Sequence, residues 1–185
     1  MLEIELKYPL SDLVALRTAL KERGAILIEQ REDADHYYNA PDRDFARTDE
    51  AFRIRCIGSR NLLTYKGPKI EAQTKTRKEI EVAAADGTLV AIELQRMFVA
   101  LGYRPVAIVR KRREVFELNR DGFSLHICLD NVDRVGTFAE IEIVADEAQL
   151  EEARSAILKL ADELGLKQSE RKSYLQLLLE RTGVI

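Results

Sequence analysis

The sequence predicts an α+β fold in which an eight-stranded antiparallel β-barrel, in effect a tunnel, carries helices packed on its outside. Three observations predict it. Apolar and charged residues alternate with period two in segment after segment, as in strands with two unlike faces. The strands follow one another with too few long βαβ units for a parallel sheet, which favours an antiparallel meander. Arg, Lys and Glu recur at the strand centres, where a solvated face would mix Ser, Thr, Gln and Asn with its charges. The alternation alone fits equally a large twisted sheet with its polar face in water. The charge content favours the tunnel, because ions of both signs gathered on one face call for partners or a ligand. A closed barrel of about eight strands holds side chains or one small ligand.

The first strand is Met1–Pro9, where Leu2, Ile4 and Leu6 oppose Glu3, Glu5 and Lys7. Ser11 or Asp12 can cap a helix reaching about Arg23, with Leu13, Leu16 and Leu20 along one stripe and Gly24 as the stop. Residues 25–39 read as a strand whose inward face is ambiguous, ending in Asp35-His-Tyr-Tyr38 before a turn at Asn39-Ala-Pro-Asp42. In 51–56, Phe52, Ile54 and Cys56 oppose Arg53 and Arg55. A hairpin loop at 58–61 returns the chain through a strand that carries Thr64 and Lys66 on one face. In 75–82, Ile80 and Val82 set the apolar face and leave Lys75, Arg77, Glu79 and Glu81 opposite.

A helix over 89–101 follows, ending at Gly102. The strand 106–118 puts Lys111, Arg113 and Glu117 inward, against Phe116 and Leu118. The turn Asn119-Arg-Asp-Gly122 leads into 123–130, with Ser124, His126, Cys128 and Asp130 opposite the apolar residues. Glu140 and Glu142 then share a face in 138–144, mirroring the first strand. Two helices close the chain, over 147–164 and from Ser169 to about Arg181.

The 185 residues suit a single domain spanning 1–185, with 46% hydrophobic and 33% charged residues. A formal net charge of -3 argues against a generic nucleic-acid binder. No apolar run approaches a membrane span, so no membrane partner is expected, and two scattered cysteines suit a reducing, cytoplasmic setting.

A site that concentrates both signs of charge should bind a ligand that carries both, and a metal–triphosphate complex does. Glu3, Glu5, Asp130, Glu140 and Glu142 are the candidate ligands for Mg²⁺ or Mn²⁺, hard cations that prefer oxygen. Lys7, Arg53, Arg55, Lys66, Lys75, Arg77, Lys111 and Arg113 are the phosphate candidates, since Arg forks and Lys ammonium groups neutralise phosphate oxygens. Glu79 and Glu81 share that face and are counted as substrate-binding candidates together with Lys172 on the last helix, although a lysine there more commonly faces solvent. Glu3, Glu5, Lys7, Lys111 and Arg113 are the candidate catalytic set. No Gly-rich phosphate loop is present, so side chains must hold the phosphates. His36 and His126 lack the clustering of a zinc site.

These residues resemble the CYTH family, the triphosphate tunnel metalloenzymes, over nearly the whole chain. The resemblance runs through Glu3-Ile-Glu-Leu-Lys7, Phe52-Arg-Ile-Arg55, Thr64-Tyr-Lys66, Arg77-Lys-Glu-Ile-Glu81, Lys111-Arg-Arg113, Leu129-Asp130, Gly136-Thr-Phe-Ala-Glu-Ile-Glu142 and Lys172-Ser-Tyr174. It implies an eight-stranded tunnel that takes a triphosphate with a divalent metal, and points to a homodimer. Asp35-His-Tyr-Tyr38, Pro41-Asp-Arg-Asp-Phe45 and Thr48–Arg55 look most like the class IV adenylyl cyclase branch, which converts ATP to cyclic AMP and pyrophosphate. A triphosphatase, or a module that binds polyphosphate or nucleotide without catalysis, is the alternative.

Overall fold

The computed structural model describes residues 2–70 and 77–184. Its strands are β1 (Leu2–Pro9), β2 (Ile26–Asn39), β3 (Ala51–Ile57), β4 (Arg60–Lys66), β5 (Glu79–Ala84), β6 (Arg104–Arg120), β7 (Phe123–Val132) and β8 (Gly136–Ala145). All pair antiparallel in one curled sheet of order β1-β8-β7-β6-β2-β3-β4-β5. The edge strands meet at one bridge among the described residues, where Arg77 N donates to Glu3 O at 3.4 Å. The sheet is therefore a half-barrel brought round on itself, and the expected tunnel has a seam in place of a full eighth ladder. Bulges at Leu27/Glu29 and Tyr37/Tyr38 interrupt the long β2–β6 pairing, the kind of irregularity that bends a strand.

The two faces separate as the alternation requires. Ile4, Leu6, Phe116, Leu125, Ile127, Leu129, Ile141 and Ile143 point to the convex side and are buried there. They pack under α1 (Leu13–Glu22) through Leu16 and Leu20, and under α4 (Leu150–Glu163) through Ala153, Ile157 and Leu160. Asp12 caps α1 by accepting from Ala15 N at 2.9 Å. A four-residue helix, α2 (Phe45–Thr48), was not expected; Asp44 caps it, and Asn39 Oδ1 accepts from Phe45 N at 2.8 Å. Such a short turn of helix leaves no periodicity to read.

Helix α3 (Thr88–Ala100) lies over the convex side of β2 and β3, where Phe98 meets Phe52 edge-on at 4.9 Å between ring centroids. It ends at Gly102, whose φ of 90° favours glycine and where an added Cβ would sit 3.2 Å from Pro41 Cβ.

Helix α5 (Tyr174–Arg181) behaves differently from the others. It starts at Ser173, whose hydroxyl accepts from Gln176 N at 3.1 Å, and not at Ser169. The preceding stretch is tied to the first strand, Glu170 N donating to Lys7 O at 2.6 Å. Tyr174 and Leu178 then pack against Tyr37, Val109, Val132 and Phe138, so α5 stands at one end of the concave side. No helix among the described residues is long and apolar enough to cross a membrane.

Candidate functional site

The concave face encloses a cavity of about 600 Å³, within the range of small-molecule sites. Its lining brings together Glu3, Glu5, Lys7, Arg53, Arg55, Lys66, Arg77, Glu79, Glu81, Lys111, Arg113, Glu140 and Glu142. Strand register explains why they meet: Glu5 faces Glu142 and Lys7 faces Glu140 across β1–β8, while Lys66 faces Glu79 and Thr64 faces Glu81 across β4–β5.

Three of the five proposed metal ligands form a cluster. Oxygens of Glu3, Glu5 and Glu142 all lie within 4.8 Å of one another. Like charges placed so close repel, and burial adds to the cost. Burial, opposed by Lys66 and reinforced by Glu79 and Glu5, lifts the Glu3 carboxyl to about 7. Burial also lifts Glu142 to about 8, opposed by Arg113 and reinforced by Glu3, Glu140 and Glu5. A hard divalent cation would relieve this strain, and three carboxylates are the donor set that Mg²⁺ or Mn²⁺ prefers.

The other two proposed ligands are engaged elsewhere. Asp130 is fully buried behind the lining and accepts the Arg113 fork, at 2.7 Å from Nε and 2.5 Å from a terminal nitrogen. It also accepts from the Tyr174 hydroxyl at 2.8 Å, so its oxygens do not face the cavity as expected of a ligand. Glu140 reaches the cavity but pairs with the same Arg113. The sequence could not separate these roles, because alternation assigns a face and not a depth.

Lys66, Arg53, Arg55, Lys111 and Arg113 are held by acids. Lys66 Nζ lies 2.9 Å from Glu3 and 2.5 Å from Glu79, which ties β4 and β5 to β1 across the seam. Arg55 grips Asp35 through two nitrogens at 2.7 and 2.9 Å, Arg53 reaches Asp35 at 3.2 Å, and Lys111 reaches it at 3.3 Å. These three cations overcome burial and hold the Asp35 carboxyl well below the usual range. Arg53 Nε has no hydrogen-bond partner among the described residues. Arg77 is buried at the seam and donates weakly to Gly67 O at 3.5 Å.

Lys172 departs from expectation. Its side chain is exposed and pairs with Glu180 at 2.7 Å, and only its carbonyl turns inward, to accept from Lys7 Nζ. Glu117 lies outside the cavity and accepts from Ser124 at 2.8 Å, and His126 is exposed near it. Lys75 lies outside the described residues.

Asp33, Asp35 and Tyr174 were missed as members of the inner shell. Asp33 and Asp35 share the odd parity of Arg31 and Tyr37 on β2, a signal that was present but could be read on either face. Tyr174 sat within an apolar helical stripe and gave no sign of its polar contacts.

The raised carboxyls set the acid–base response of the protein held free of divalent cations. A carboxyl whose folded pKa exceeds its unfolded value stabilises fully below the unfolded pKa and loses that contribution as pH rises through the folded value. For Glu3 and Glu142, that window runs from about 4.5 to about 8. Between pH 5 and pH 8.5, the melting temperature in chelator should fall by at least about 3 °C, given roughly 2–4 °C per kcal/mol for a chain of this size. Glu3→Gln/Glu142→Gln should flatten that slope; an unchanged slope would remove these carboxyls as its source.

A curled antiparallel sheet with acids and bases lining its concave face defines the class: a half-barrel around a charged cavity. The chain belongs to the CYTH family, whose CYTH domain matches residues 1–174. It is 33% identical over 180 residues to MJ0240 of Methanocaldococcus jannaschii, which carries a provisional adenylate cyclase name, covering 96% of this chain and 98% of that one. It is 29% identical over 178 residues to adenylate cyclase CyaB of Aeromonas hydrophila, covering 93% and 86%. The solved structure of PH1819 from Pyrococcus horikoshii superposes with a TM-score of 0.84 at 37% identity, over 97% of this chain and 99% of that one. At 18% identity, HpAC1 of Hippeastrum shares the fold with a TM-score of 0.70, over 98% and 95%.

Proposed function

We propose that this protein is a metal-dependent triphosphate enzyme, and that its reaction is the conversion of ATP to cyclic AMP and pyrophosphate. One observation carries the reading: the three-carboxylate cluster of Glu3, Glu5 and Glu142 opens into the same cavity as Lys7, Arg53, Lys66, Arg77, Lys111 and Arg113. An acidic cluster binds a cation and a basic wall binds phosphates, and a metal–triphosphate complex needs both at once. The cyclase name of two relatives supports the choice of reaction.

A bound Mg²⁺ or Mn²⁺ would polarise a phosphoryl oxygen and offset the charge that develops there. The chain's own residues do the rest. Arg and Lys groups orient the phosphates and neutralise the pyrophosphate as it leaves, while the cavity walls bring the ribose 3′-hydroxyl to the α-phosphorus. Cation binding must expel the protons held by Glu3 and Glu142, so Mn²⁺ affinity should rise at least tenfold from pH 6 to pH 8.5. Calorimetry at the two pH values checks this, and a flat affinity would count against these ligands.

Hydrolysis of a triphosphate is the second reading. The structure of HpAC1, which shares the fold, was described with a dominant triphosphatase activity. The deciding experiment offers ATP and inorganic triphosphate in parallel, with Mg²⁺ or Mn²⁺, and separates the products. Cyclic AMP with pyrophosphate is the expected result. Phosphate from inorganic triphosphate without cyclic AMP would replace the cyclase with a hydrolase, and binding without turnover would leave a non-catalytic module.

A further inference from the structure

Tyr174 stands where α5 meets the charged face, with two cations over its ring and an anion at its hydroxyl. The Lys7 ammonium lies 4.0 Å from the ring centroid and the Lys111 ammonium 5.7 Å from it. The hydroxyl donates to Asp130 at 2.8 Å, and Asp130 in turn grips Arg113. Lys7 arrives from β1 and Lys111 from β6, strands separated in the sheet by β8 and β7, so backbone pairing alone does not join them.

We propose that Tyr174 is the positioning residue for the basic end of the cavity: its ring holds Lys7 and Lys111, and its hydroxyl, through Asp130, sets Arg113, so that three cations converge on one phosphate position. The proposal rests on reading the cavity as a triphosphate site. Lysine is a compact charge on a long, flexible stem, and two ammonium groups in one buried space repel. The face of an aromatic ring attracts a cation without adding an anion to those of Asp33 and Asp35 that already reach Lys111, so it can order both lysines without neutralising them further. A carboxylate in its place would neutralise them.

The ring itself is fixed. Phe138 packs against it edge-on at 5.2 Å between centroids, and the Ser173 cap sets the backbone immediately before it. Lys7 is further restrained by the Lys172 carbonyl, which limits where its ammonium can lie over the ring.

The test separates ring from hydroxyl. Tyr174→Phe keeps the ring but loses the contact to Asp130 that sets Arg113, and should bind inorganic triphosphate with Mn²⁺ about threefold more weakly than the unaltered protein. Tyr174→Leu removes it and should bind about tenfold more weakly or worse. Affinity for Mn²⁺ alone should stay unchanged in both, since the carboxylate cluster does not touch Tyr174. Equal losses in the two variants, or full affinity in the Leu variant, would overturn the proposal.

Should the Leu variant not fold, proton NMR of the unaltered protein and the Phe variant still decides. The Lys7 ε-methylene protons are expected upfield of the ordinary lysine position through the ring current, and an ordinary position would overturn the placement. If the unaltered protein bound no metal–triphosphate at all, the site reading would fail and take the proposal with it. Binding with the wrong ranking of variants would sink the proposal alone.

Discussion

Glu5→Ala and Glu142→Ala are each expected to lower metal-dependent turnover by at least about 100-fold, the scale of losing a group that fixes charge at a reacting centre. The two residues face each other across β1 and β8, and with Glu3 they make up the carboxylate cluster. Removing either leaves two oxygen donors where a hard cation was to have three. Mn²⁺ binding measured by calorimetry should weaken in parallel with turnover, while the melting temperature in chelator should hold or rise, because a repelling carboxylate has gone. Turnover within a few-fold of the unaltered protein would remove the cluster from the reaction.

Arg113→Met should have the largest effect on stability. Arg113 is 6% exposed and satisfies Asp130, which is 0% exposed, as well as Glu140. Breaking a buried pair by removing one partner costs about 3–5 kcal/mol, because the remaining charge stays in the interior without compensation. The melting temperature should therefore drop by about 6–20 °C. Tyr174 and the nearby Lys111 remain to moderate the Asp130 charge, so the lower half of that range is expected. A drop below about 2 °C would show that Arg113 is not the main counter-charge of this cluster.

Much of this site was legible because strand alternation is exact. Once Ile4 and Leu6 are placed on the core side, Glu3, Glu5 and Lys7 must share the other, and the same logic places Arg53 with Arg55 and Glu140 with Glu142. Alternation says nothing about who pairs with whom. Asp130 and Glu142 look alike in sequence, yet one braces an arginine and the other faces the cavity. The parity of β2 was hidden because 25–39 carries polar residues on both faces over much of its length, so nothing marked Asp35 for the buried grip of Arg55. Lys172 misled for a different reason: the chain there approaches the site through its backbone, which no side-chain pattern reveals.

The pairing of β1 with β8 also fixes when the site can come into being. Glu3 and Glu5 lie on β1, and the partner strand β8 comes much later in the chain, ending at Ala145. At about 5–20 residues per second, roughly 7–27 s separate the making of Glu5 from that of Glu142. Throughout that interval β1 lacks β8, the strand with which it forms its one ladder among the described residues. The nascent chain thus carries the β1 carboxylates without their β8 partner, and the Glu3–Glu5–Glu142 cluster cannot assemble before the meander between them has been made.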